Sequence, residues 1–257
     1  MNGEALNFGL LGPAFVAGLL VLASHVPLGR QVLARGIVFI DLAVAQVAAL
    51  GLLAADLFGF EPQGWQVQAV ATAAALAGAL VLTWLEQHWP QVEEALIGAM
   101  FVLAASAALL LLAHNPHGGE HLRDLLSGQI LWVGWTDLPA AAGITLAAGL
   151  LWLVMRERFP RMGFYLPFAV VVTVSVQLVG VYLVFSSLIL PALAVRSWPP
   201  RWQLAGGMAI GATGYLLGLA ASSLFDLPSG ALIVWMLALV GLLVNLLKRF
   251  CAMMQFS

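Results

Sequence analysis

Apolar runs of about twenty residues, each bounded by charges, Pro or Gly, recur eight times, at about 8–26, 36–58, 65–85, 95–113, 138–155, 164–185, 203–224 and 229–247. A helix needs about 20 such residues to cross the hydrocarbon core of a bilayer. The runs lack the period-2 alternation of a membrane barrel, and lipid leaves only helices as the other way to pair every backbone amide. A ninth apolar piece, Leu188 to Val195, is too short for a perpendicular crossing and reads as a partial or re-entrant element. The expectation is an all-α polytopic membrane protein of about eight full transmembrane helices plus that partial element, forming one transmembrane domain over residues 1–257. Only 9% of the chain is charged, against roughly a quarter in soluble domains, so no sizeable extramembrane domain fits. The opening MNGEALNFGL lacks the positive region of a cleavable signal peptide, and the first run therefore reads as a retained span.

Lys and Arg in short loops stay cytoplasmic. Arg30 and Arg35, then Arg156, Arg158 and Arg161, then Arg196 and Arg201, and finally Lys248 and Arg249 fall on one side if the partial element returns the chain. Only Arg123 is left on the other. This predicts the N-terminus outside and the C-terminus inside. A formal charge of -2 provides no basic face for neutralising phosphates, which excludes nucleic acid as a partner. There is no G-x-S-x-G, no H-E-x-x-H and no phosphate-cradling G-x-x-x-x-G-K-[ST], so the chain reads as no enzyme, and any ATP must be handled by another polypeptide. The single cysteine, Cys251, forbids an internal disulfide.

Few polar side chains lie inside the spans: His25, Asp41, Gln46, Gln177 and Asn245. An intramembrane carboxylate is costly and is by default a functional hypothesis. Asp41, however, is only five residues past Gly36, about 8 Å along a helix, where it can also meet water or pair with Arg30 or Arg35. His25, just before Pro27, reads as a helix-end hydrogen bond, and Gln177 as a bond to a neighbouring helix or a path-lining group. The loop HNPHGGEH places His114, His117, Glu120 and His121 together on the predicted outer side. Imidazole suits zinc, and the Gly118-Gly119 pair favours transient capture over a closed structural site. In the seventh run Gly207, Gly211, Gly214 and Gly218 recur at helical spacing, the pattern by which membrane helices approach closely.

Taken in order, several segments resemble the permease subunit of the metal-ion ABC importers that carry zinc, manganese or ferrous iron. They are GRQVLARGIVFIDLAVAQVAALG (29–51), EEALIGAMFVLAASAALLLL (93–112), LRDLLSGQILWVGWTDL (122–138), LVFSSLILPALAVR (183–196) and FDLPSGALIV (225–234). The resemblance implies a second permease copy around a central path, cytoplasmic ATPase subunits, an extracytoplasmic metal-binding protein and a bacterial cytoplasmic (inner) membrane. The cargo it implies is a divalent metal ion, zinc first, with no permanently bound cofactor. Asp41, Gln46, Gln177 and Pro191 would line the path, His114, His117, Glu120 and His121 would receive the ion, and Arg156, Arg158 and Arg161 would face the ATPase. A diverged membrane anchor for a metal-handling protein is the alternative. Two departures stand out. The family's Asp-x-x-x-His pair of the second span falls here on Leu42 and Gln46, and Asp41 lies about 140° around the helix from Gln46. The family's short amphipathic helix between the fifth and sixth spans has as its counterpart only the loop MRERFPRMG.

The orientation is open to a direct test. A cysteine placed at Gln63 should be modified by a membrane-impermeant maleimide from outside and one at Arg158 spared. The reverse pattern would invert the topology.

Overall fold

The structure, a computed structural model, describes residues 8–57, 65–112, 130–159 and 161–254. Among the described residues are nine α-helices and no strand: α1 (Phe8–Arg35), α2 (Ile40–Leu57), α3 (Trp65–His88), α4 (Glu93–Leu112), α5 (Leu138–Arg158), α6 (Met162–Val179), α7 (Val181–Val195), α8 (Pro200–Phe225) and α9 (Ser229–Met254). Single 3-10 turns lie at Pro90–Val92 and Ile130–Trp132. Seven of the described helices are long and apolar enough to span a membrane, while Ile40–Ala55 and Val181–Val195 are shorter apolar stretches. Leu103 (70% exposed), Leu110 and Val154 stand on the outer surface, which lipid tolerates and water would not. Trp65 opens α3, and Trp84 and Trp89 sit at its other end, the placement of aromatic residues at the two membrane interfaces.

Two boundaries differ from the sequence expectation. The first helix does not end near 26 but continues through Pro27 to Arg35, where Gly36, at φ +78, turns the chain. His25 is therefore inside a helix and not at its end; its Nδ1 lies 3.0 Å from the Val21 carbonyl oxygen. The run 164–185 is not one helix: Gly180 adopts φ +83 and ψ 161, a backbone conformation open to glycine, so α6 stops at Val179 and α7 begins at Val181. The partial element is consequently a 15-residue helix beginning seven residues before Leu188. The break is silent in hydropathy because the residues flanking Gly180 are all apolar.

Contacts group the chain into two compact units, the first Met1–Ala34, Ser127–Leu138 and Leu178–Ser257, the second Arg35–Leu126 and Pro139–Gln177. Each has a short helix at its centre. In the first unit 11 of the 15 residues of α7 are buried, in keeping with a helix that is apolar nearly all round. Glycines let its neighbours reach it: a Cβ on Gly29 of α1 would lie within 2 Å of the Leu188 carbonyl oxygen. Tyr215 of α8 packs across Gly18 and reaches the Ser187 hydroxyl at 2.8 Å, while Ser187 donates to the Leu183 carbonyl at 2.7 Å. Asn245 of α9 donates to the Ala194 carbonyl at 3.1 Å. The glycine row of α8 does serve packing, and it serves two neighbours. A Cβ on Gly207 or Gly211 would strike Val26 or Leu22 of α1, whereas one on Gly214 or Gly218 would strike Leu237 or Ile233 of α9.

The second unit centres on α2, which packs on α3 and α4. Gly51 admits Ala74 of α3, and a small-residue stripe on α3, Val67, Ala71, Ala75, Gly78 and Ala79, faces inward. Helix α5 buries little beyond Leu138, Ala141 and Ala148. Hydroxyls in the spans are satisfied within their own helices, Thr83 on Ala79 and Thr173 on Ala169, each at 2.8 Å, so they cost the bilayer nothing in unpaired donors.

These close approaches predict unequal tolerance of added methyl groups. Gly218→Ala, whose Cβ would lie 2.5 Å from the Ile233 Cα, should destabilise by about 1–3 kcal/mol through overpacking, read as a lower Tm in detergent. Gly143→Ala, with open space around it, should leave Tm unchanged or slightly raised. Equal effects would remove the packing role of the α8 row.

Candidate functional site

Asp41 lies in the first turn of α2, where the positive end of the helix dipole favours a carboxylate. It is 0% exposed, and neither carboxylate oxygen has a hydrogen-bond partner. The two arginines that the sequence offers as partners have contacts of their own. Arg30 donates through Nε to the Gln203 side chain at 3.0 Å, and Arg35 lies 3.9 Å from Glu86 and over the Phe164 ring at 4.2 Å. Continuation of α1 to Arg35 places it on a helix end, not in a mobile loop, and fixes these choices. Gln46, 6% exposed, is buried on another side of the same helix. Both polar groups are covered because α2 is enclosed nearly all round.

The α2 N-terminus is held by another helix. Glu94, in the first turn of α4, accepts from the Phe39 backbone N–H through Oε1 at 3.2 Å, which supplies one of the partners that a helix start lacks. Its neighbour Glu93 accepts from the Tyr165 hydroxyl of α6. Glu86, at the end of α3, stands between Arg35 (3.9 Å) and Arg161 (3.6 Å). One end of the second unit therefore gathers the α1–α2, α3–α4 and α5–α6 connections around three carboxylates, two guanidiniums and a phenol. The sequence offers Glu86 to Glu94 only as another loop that could couple to an ATPase; that Glu86, Glu93 and Glu94 meet Arg35, Arg161 and Tyr165 is not readable from it. The one available signal was the Glu93-Glu94 pair directly after Trp89-Pro90, which alone says only that a helix starts there.

The other candidates are dispersed. Gln177 is exposed, and it ends a partly exposed stripe on α6 formed by Leu166, Val170 and Val174; its side chain bonds no neighbouring helix among the described residues. Pro191 is buried within α7, and its carbonyl oxygen lies near Gly207. Arg161 is half exposed and paired with Glu86, Arg158 is exposed in the last turn of α5, and the Arg156 side chain lies outside the described residues. So do His114, His117, Glu120 and His121. Among the described residues no cluster of three His, Cys, Asp or Glu stands ready to hold a metal ion.

The loop between the fifth and sixth spans is shorter than MRERFPRMG suggested. Helix α5 continues through Arg158 and α6 starts at Met162, with the Phe159 N–H on the Met155 carbonyl at 2.8 Å and the Gly163 N–H on the Phe159 carbonyl at 2.7 Å. A Cβ on Gly163 would lie 2.8 Å from the Met155 carbonyl oxygen. Only glycine allows the two helices to meet so tightly, and residues 159–161 leave no room for an inserted amphipathic helix. The motif FDLPSGALIV likewise has a structural account. Asp226, at φ +53, ends α8, Ser222 donates to the Leu227 carbonyl at 2.6 Å, and α9 starts at Ser229 immediately after Pro228.

Comparison with known proteins supplies the context. The chain is 28% identical to an uncharacterised membrane protein of Synechocystis sp., over 96% of this chain and 93% of that one. It is 30% identical to the manganese transport system membrane protein MntC of Bacillus subtilis, over 92% of this chain and 60% of that one. Its fold matches PsaBC from Streptococcus pneumoniae, solved in complex with Fab, with a TM-score of 0.73 at 21% identity, covering 94% and 92% of the two chains. This agrees with the all-α polytopic fold expected from the apolar runs. The model of the ABC 3 transport family matches residues 7–171 and 158–248, nearly the whole sequence, and the chain belongs to that family.

Proposed function

We propose that this chain is the membrane permease subunit of an ATP-driven importer of divalent transition-metal ions. The observation that carries the reading is Asp41. An ionisable group held in the apolar interior of a membrane helix bundle with no protein partner is costly, and a passing cation is the partner its two oxygens lack. Gln46, a helical turn and more further along α2 and on another of its sides, offers a carbonyl oxygen only at a separate, weaker point of contact. Exposed Gln177 on α6 adds a polar group, and Pro191, inside the continuous helix α7, is assigned to the path by the family resemblance. Weak ligation suits transport, since an ion must leave as well as enter.

Partners follow from what the chain lacks. With no nucleotide loop, ATP hydrolysis belongs to separate cytoplasmic subunits, and an extracytoplasmic metal-binding protein would deliver the ion to His114, His117, Glu120 and His121. A second permease copy would complete the path in the bacterial cytoplasmic membrane. The ATPase contact assigned to Arg156, Arg158 and Arg161 would be made by their whole end of the second unit, because the connection at 159–161 is too short to act alone. The ion pairs of Glu86, the Tyr165–Glu93 hydrogen bond and the Glu94 cap on Phe39 tie that end into one piece, so a push on any of the three connections reaches the start of α2.

Zinc is the first cargo, on the imidazoles of the outer loop. Manganese is favoured by a different observation: Asp41 and Gln46 are oxygen donors, the chemistry manganese prefers, and a relative is named for manganese transport.

Uptake by importer-deficient cells supplied with this permease, its ATPase and its binding protein tests the reading. Asp41→Asn keeps the shape and removes the charge, and it should reduce uptake at limiting metal by roughly tenfold or more with membrane expression intact. Unchanged uptake would remove Asp41 from the path. Replacement of His114, His117 and His121 by Ala should raise the zinc concentration needed for growth and leave the manganese requirement nearly unaltered. Equal shifts for both ions would favour manganese as a cargo sharing the loop, and no shift for either would make the loop a solvated connection.

A further inference from the structure

In the first unit a groove of about 390 Å³ runs between α7 and α9. Its floor is made of small residues, Ala194, Ala238 and Gly241, and its walls of Leu190, Leu193, Leu242 and Leu246. Leu193, Leu242 and Leu246 are between 41% and 56% exposed, so the groove lies open on the surface of the first unit. The floor is set by a close approach: a Cβ on Gly241 would come within 3.3 Å of the Ala194 Cβ. Asn245 closes the backbone account there, its Nδ2 donating to the Ala194 and Gly241 carbonyls at 3.1 and 2.9 Å.

At one end of this groove stands Arg196, the cap residue of α7, exposed and without an ion-pair partner among the described residues. No carboxylate lines the groove. The turn that carries Arg196 is fixed from two sides. Gln203 donates to the Arg196 and Trp198 carbonyls at 3.2 and 2.9 Å, and Lys248 donates to the Ser197 carbonyl at 3.2 Å while lying 5.8 Å over the Trp198 ring. The backbone that carries Arg196 is therefore held at the end of a leucine-walled groove, with the guanidinium itself exposed beside it. By the orientation read from the positive charges, this end faces the cytoplasmic leaflet, where anionic headgroups meet basic pockets between helices.

We propose that the α7–α9 groove holds an anionic phospholipid, with an acyl chain along Leu190, Leu193, Leu242 and Leu246 and the phosphate on Arg196. A second copy of the chain is a poorer occupant. A two-fold interface presents the same patch from both sides, and this patch would offer two arginines and no carboxylate to receive them. A polar peptide would leave its backbone amides unpaired against leucine walls. The lipid satisfies both ends of the groove and does not depend on which ion is transported.

The test uses the purified full-length chain in detergent, with Tm followed by tryptophan fluorescence. Phosphatidylglycerol should raise Tm by about 5 °C at saturation, and phosphatidylcholine of the same chains or sodium phosphate should not. Arg196→Gln should weaken the phosphatidylglycerol effect roughly tenfold in concentration, with Arg196→Lys restoring most of it. Leu242→Trp, placed on the exposed wall, should fill the groove and abolish the shift while leaving Tm without lipid unchanged. Native mass spectrometry of the wild type should retain one phosphatidylglycerol that the Leu242→Trp variant loses. The proposal is overturned by a full shift in Arg196→Gln, by equal shifts with phosphatidylcholine, by a shift with sodium phosphate alone, or by Leu242→Trp dissociating a dimer with no change in lipid response.

Discussion

Hydrocarbon supplies no hydrogen bonds, so each polar group in a membrane chain must find its partner inside the protein or stand as an exception with a cause. Here the rule is kept with few departures. Thr83, Thr173, Ser186 and Ser187 return their hydroxyls to their own helices, Tyr215 reaches Ser187, and Asn245 crosses to the backbone of α7. Against that background the carboxylate of Asp41 is conspicuous. Glu94, only partly buried, has one oxygen on Phe39, and Glu86 has two arginines, whereas Asp41 has neither bond nor charge partner and no exposure at all. Buried His25, whose Nε2 also lacks a partner among the described residues, and Trp198, whose Nε1 lacks one too, are further exceptions, but of these groups only the Asp41 carboxylate can carry the negative charge that meets a cation.

The second constraint is distance between backbones. Membrane helices gain no hydrophobic driving force from one another, so they associate by fitting closely. Gly18, Gly29, Gly207 and Gly211 bring α1 to α7 and α8, and Gly214 and Gly218 bring α8 to α9. This fit encloses α7, a helix of 15 residues whose length of roughly 22 Å is short of the hydrocarbon thickness. A short helix need not reach both interfaces when its neighbours surround it. The FSSLILP stretch within α7 is thus explained first by packing: Ser187 for Tyr215, the Leu188 carbonyl for Gly29, Pro191 beside Gly207.

What was legible in the sequence divides along physical lines. The helical class, the membrane setting and the packing use of the α8 glycines could be read because hydropathy runs and three- and four-residue spacings are local properties. The break at Gly180 was not legible, because a change in φ leaves no trace in hydropathy when both flanks are valines. Nor was the length of α1, since Pro27 in water would end a helix that surrounding protein here sustains. At the candidate site, Asp41 and Gln46 could be singled out as polar residues in an apolar helix. The company of Glu86, Glu93, Glu94, Arg35, Arg161 and Tyr165 could not, because four helices far apart in sequence meet to make it.

That assembly bears on how motion would enter the second unit. The start of α2 is capped by α4 through Glu94, α4 is tied to α6 through Glu93 and Tyr165, and α3 is tied to Arg35 and Arg161 through Glu86. A displacement of α4 must carry the Phe39 amide with it or break the cap, and Asp41 lies only two residues further along the same helix. The cap and the orphaned carboxylate are therefore mechanically adjacent. Loss of the Glu94 bond would leave the first turn of α2 with one more unpaired amide beside Asp41, strengthening the local positive field and favouring the anion without a cation bound. Restoring the bond reverses that balance, which gives the ends of three connections a physical means of altering the charge environment at the position assigned to the ion.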